Sequence, residues 1–122
     1  MEEQQRKFEV YLEEQIAACK QRSKALAEDH RVDEGNFEKI RANVYEIFKT
    51  LLSAAEKVCG EDDPAKRAFF LEKSDQIPAG WAASYEKAKQ NGDAEKMHIE
   101  GIKLNTIQEI KDKYTQIREE TT

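Results

Sequence analysis

The residues of this chain best equipped for chemistry are its two cysteines, two histidines and many carboxylates, so their spacing is the first question. Glu95 and His98 stand three apart in Glu95-Lys96-Met97-His98, a spacing that on a helix lets both side chains reach one metal ion. Di-iron carboxylate bundles use two such pairs plus two further glutamates, and here the second pair is missing, because Ala27 stands three residues before His30. His98 also projects about 120° from the isoleucine stripe of its own segment, on the side of Asn105, Glu109 and Gln116. That side reads as solvated, and His98 as an exposed histidine near a helix start.

The other nucleophiles and acids fare no better. Cys19 falls on an apolar stripe and reads as core filling, while Cys59 sits beside Gly60 at a helix end with no histidine near either. If the first two helices form a hairpin turning near Asp33, Cys59 lies opposite Lys7 or Phe8. Cys19 is then about 18 Å away, beyond disulfide reach, so both thiols are expected to be free. Ser23, Ser53, Ser74 and Ser84 lack a nucleophile elbow, and five scattered glycines make no phosphate loop. Glu13-Glu14 reads as part of a solvated run, and Asp62-Asp63 as capping, rather than as acid-base pairs. The expectation is no catalytic residue, no metal ligand and no cofactor.

The elements that carry these residues follow from the apolar spacing. Of the 122 residues, 39% are hydrophobic and 37% charged, with a mean hydropathy of −0.88. This balance suits long helices that each bear one apolar stripe and one wide solvated face. The length fits one domain. The spacing predicts a first helix over about 3–30, with Phe8, Leu12, Cys19 and Leu26 on one face. A turn at 31–36, built on Asp33, Glu34, Gly35 and Asn36, leads to a second helix over about 37–59. There Phe37, Ile40, Val44, Ile47, Phe48, Leu51, Leu52, Ala55 and Val58 span a sector of about 140°, the widest strongly apolar stripe in the chain. This helix should be the most buried.

Asp63-Pro64 reads as an N-cap followed by the first helical position, starting a segment over about 64–73. Ile77-Pro78 predicts a break, since the residue before proline is pushed out of the helical region, and a second piece over about 78–90. Asn91-Gly92-Asp93 reads as a stop followed by a new N-cap, opening a last helix over about 94–118, striped by Ile99, Ile102, Thr106, Ile107, Ile110, Tyr114 and Ile117. The sum is an all-α, up-down-up-down four-helix bundle with a proline-broken third helix. The alternative is a three-helix bundle with a short capping helix.

Function at this level is set more by exclusion than by motif. A net charge of −5 with both signs interspersed offers no basic stripe for phosphates, so neither nucleic acid nor a membrane surface is an expected partner. The longest apolar runs fall far short of the roughly 20 residues that cross a bilayer. The opening Met-Glu-Glu-Gln-Gln-Arg-Lys lacks the apolar core of a secretory signal, which makes the cytoplasm the expected location. Some apolar surface is left over. Phe69, Phe70 and Leu71 fan across about 200° of a helix, so one contact cannot cover all three. Trp81 lies among small residues, and Met97 and Leu104 stand beside the last stripe. These six are the candidate interface of a non-enzymatic interaction module whose partner is another protein or a second copy, a dimer being the simplest form. The most exposed of Phe69, Phe70 and Leu71 is then the position where a glutamate should abolish association. The alternative is a small-molecule- or metal-binding bundle, catalytic in one version, using the gap at Pro78 with Glu95 and His98.

Overall fold

The computed structural model describes residues 2–120 and shows four helices with no strand among them: α1 (Glu2–Glu28), α2 (Val32–Cys59), α3 (Asp63–Gln90) and α4 (Ala94–Glu120). Each has 27 or 28 residues, about 40 Å of helix at 1.5 Å per residue. Three-residue loops join them, which forces each helix to run antiparallel to the one before it. The start of α1 therefore meets the end of α4. The Gln4 side-chain amide donates to the Arg118 carbonyl at 3.3 Å, and the Arg118 guanidinium donates back to Gln4 Oε1 at 3.1 Å. The molecule is the expected up-down-up-down bundle.

α2 packs against all three other helices, whereas the backbones of α1 and α3 do not approach each other closely. The cross-section is a rhombus with α2 and α4 on its short diagonal. This agrees with the breadth of the α2 stripe: eight of its residues are buried, against three in α3. The stripe's edge lies outside the core, with Ile47 39% and Val58 69% exposed. Tyr45, which belongs to no predicted stripe, is fully buried along with Phe48, Phe70, Leu12 and Ile110.

The loops depart from expectation in informative ways. α1 ends at Glu28, and the turn is residues 29–31, closed by the Arg31 N–H donating to the Leu26 carbonyl at 2.8 Å, with His30 at φ +59°. α2 thus begins five residues before the predicted start, and Gly35 is no breaker. It lies inside the helix where α1 crosses, and the Ser23 hydroxyl donates to its carbonyl at 2.9 Å. A Cβ on Gly35 would stand 3.1 Å from the Ser23 carbonyl oxygen, so glycine is chosen for close approach. Alanine at 35 should lose about 1 kcal/mol of stability, crowding outweighing its better helix propensity. Alanine at Gly101, where the nearest contact would be 3.9 Å, should instead gain up to about 1 kcal/mol. Chemical denaturation of the two variants checks both signs.

At the second loop the N-cap is Asp62, whose carboxylate accepts the Ala65 N–H at 3.1 Å, rather than Asp63. Asp63 is released to pair with Arg118 at 3.1 Å. Asp93 caps α4 as its sequence suggests, accepting the Lys96 N–H at 3.1 Å.

The largest correction concerns Pro78. α3 is helical through it, and the two predicted pieces are one element. The bias of the residue before proline is overridden by packing, since Ile77 and Trp81 on either side of the proline both rest against the core.

Candidate functional site

The six apolar residues singled out from the sequence occupy different environments. Phe70 is 1% exposed and belongs to the core, with its ring centre 4.4 Å from that of Tyr114 and 5.5 Å from that of Phe8. Leu71 is the exposed member of the triplet at 40%. Phe69 is half-buried, with the Lys73 ammonium 5.8 Å from its ring centre. Two residues apart on a helix, Phe69 and Leu71 point about 200° from each other and share no surface. Trp81 is half-buried beneath Lys103, whose ammonium is 5.9 Å from its ring. Leu104 is half-buried, as is Met97, which lines a shallow hollow with Tyr85, His98, Gly101 and Asn105. The structure does not gather these six into one patch.

Exposed apolar surface does gather on the flank where α2 and α3 run side by side. Ile47, Ala54 and Val58 fall within about 40° of one another in projection, on the side of α2 turned away from α1. α1 lies on the opposite side, as the α1–α2 ion pairs Lys20–Glu46 (3.3 Å) and Glu13–Lys49 (3.4 Å) fix. Phe69, on α3, is half-buried against the core.

Sequence reasoning missed a part-buried polar network along the seams between α1, α2 and α4. The Tyr45 hydroxyl donates to Glu109 at 3.1 Å, and Arg41 reaches the same carboxylate at 3.6 Å and Glu38 at 3.5 Å. Glu38 also holds Arg22 at 3.2 Å, and the Arg22 guanidinium donates to the Cys19 sulfur at 3.4 Å. Glu109 lies on the solvated face as its sequence suggests, its side chain 50% exposed, and bridges the α2–α4 seam from that rim. The available signal was Tyr45 itself, one turn before Phe48 and two before Leu52; its buried position gives its hydroxyl need of a partner.

The electrostatics of this network hold protons in place. Burial raises the Tyr11 hydroxyl to about 12, with the Glu109 charge adding to the effect. Burial likewise pushes Tyr45 and the Cys19 thiol above their ordinary values. At neutral pH the phenols are neutral and Cys19 is a thiol, the form that is a poor nucleophile. Such groups tie α1, α2 and α4 together in register.

Glu100 is a second buried polar group, 6% exposed, with one oxygen accepting from Lys103 at 3.3 Å and the other without a hydrogen-bond partner. His98 lies edge-on against Phe37, ring centres 4.5 Å apart, and the continuous α3 leaves no break at Pro78 for a ligand. Among the described residues, no three or more histidine, cysteine, aspartate or glutamate side chains come together where they could hold a metal ion, and no helix is long and apolar enough to cross a membrane.

The chain matches no protein-family model, no curated protein and no solved structure.

Proposed function

We propose that this chain is a non-enzymatic helical interaction module that docks a protein chain on the flank shared by α2 and α3. The observation that carries this reading is Val58, a β-branched apolar side chain left 69% exposed in line with the exposed Ile47. A helix with apolar residues on several sides and few of them buried belongs against more than one surface. α3 has that character: it buries only Phe70, Ser74 and Ala88 while carrying Phe69, Leu71, Ile77, Trp81 and Tyr85. The ionisable groups held inside the bundle support the same reading, since they are paired or kept neutral.

The test is Val58→Glu. Circular dichroism should be unchanged, because the side chain is exposed, while binding measured by sedimentation or cross-linking should weaken roughly 10- to 100-fold, as expected for losing a buried valine to a charge. Leu71→Glu, at a 40% exposed site on the other side of α3 from Phe69, should leave association as it is, whereas a triplet acting as one interface would lose association there. A Val58→Glu protein that associates like the parent would sink the reading.

A further inference from the structure

We infer that the partner of this flank is a second copy of the chain, docked antiparallel along the outer face of α3. This rests on the interaction-module reading above and adds the identity of the partner and the register. Phe69, Glu72, Gln76, Ala79 and Ala83 follow one another at alternating steps of four and three along α3, the spacing of a helix seam, and all but the half-buried Phe69 are exposed. Lys87, exposed, ends the same face one turn on.

The charges on this face are complementary to themselves. Place a two-fold axis between Ala79 and Gly80, and an antiparallel copy sets Glu72 opposite Lys87 and Gln76 opposite Ala83, each twice. Glu72 and Lys87 are about 15 residues, or 22 Å, apart within one chain and so cannot pair internally. Among the described residues neither is in an ion pair, and Glu72 accepts the Gln76 side-chain amide at 3.3 Å. The centre of the face suits a close crossing. Ala79 and Gly80 are both exposed, and a Cβ built on Gly80 meets nothing within 4 Å, so a second backbone can come near without displacing anything.

Sedimentation equilibrium of four proteins tests this: the parent chain, Glu72→Lys, Lys87→Glu and the double variant. The parent should be a dimer. Each single swap sets like charges opposite each other at both ends and should weaken the dimer at least about tenfold in Kd, and the double swap should restore it to within about threefold. Restoration is specific to this register, since a parallel pair or a different face would not bring 72 against 87. A double variant as dissociated as the singles overturns the proposal, and so do singles that dimerise like the parent. If those singles are matched by a dimer that Val58→Glu breaks, the docking flank stands and only the register falls. A parent chain that stays monomeric at every concentration overturns self-pairing, leaving the flank to a different protein with Val58→Glu still its test.

Discussion

Truncating Phe70 to alanine is expected to cost about 3–5 kcal/mol, the usual range for emptying a well-packed aromatic site. For a chain of 122 residues this lowers the melting temperature by about 12–20 °C. Phe70 is the one large, fully buried side chain that α3 supplies, and it touches rings from all three other helices: Phe8 at 5.5 Å, Phe48 at 5.9 Å and Tyr114 at 4.4 Å between centres. The contact with Phe8 matters most for the architecture. α1 and α3 occupy the long diagonal of the bundle, their backbones make no close approach, and these two edge-on rings bridge the gap. Neighbours in sequence should behave differently. Phe69→Ala should cost about 1 kcal/mol, and Leu71→Ala, at an exposed site, less than about 0.5 kcal/mol. Thermal melts of the three variants followed by circular dichroism give the comparison. Equal losses at 69 and 70 would mean that the aromatic cluster is not the centre of the fold.

How much of this was legible beforehand depended on the kind of signal. Four helices of the right order follow from apolar residues recurring every three to four positions, a property of the chain that needs no tertiary information. The Asp93 cap was legible for the same reason, being a local hydrogen bond. Gly35 was misread because a glycine that breaks a helix and one that admits a neighbouring helix look identical in sequence. Only the position of Ser23, twelve residues earlier, distinguishes them. The polar network was invisible for a related reason. Glu38, Arg41 and Glu109 sit among many similar charges, and what sets them apart is Tyr45, one turn past Arg41 on α2 and bonded across to Glu109 on α4, together with Tyr11 arriving from α1. Apolar periodicity also overstated the interior: Val58 fits the α2 stripe in projection, but no helix lies over that end of it. That excess is the signal on which the proposed docking flank rests. It emerges only when the stripe is compared with what the fold covers.

Replacing Pro78 with alanine is expected to stabilise the protein by about 2 kcal/mol, raising the melting temperature by about 8 °C. The proline sits in the interior of α3 and brings no N–H, so the Ser74 carbonyl one turn earlier loses its helical donor. Ser74 is completely buried, which keeps water from taking the donor's place, and its own hydroxyl is already donating to the Phe70 carbonyl at 2.7 Å. Alanine restores the bond and removes the ring's clash with the preceding turn, worth about 3 kcal/mol in an ordinary helix. Roughly 1 kcal/mol is given back through the packing lost from a half-buried ring. A destabilised Pro78→Ala protein would show that the ring itself fills a necessary volume against the bundle. The sign of the stability change also bears on function, because Pro78 is adjacent to Ala79, where two copies of α3 are proposed to cross. A variant that melts higher yet dimerises less would place the proline among the features that shape the contact face. One that melts higher and dimerises normally would leave Pro78 without a role in pairing.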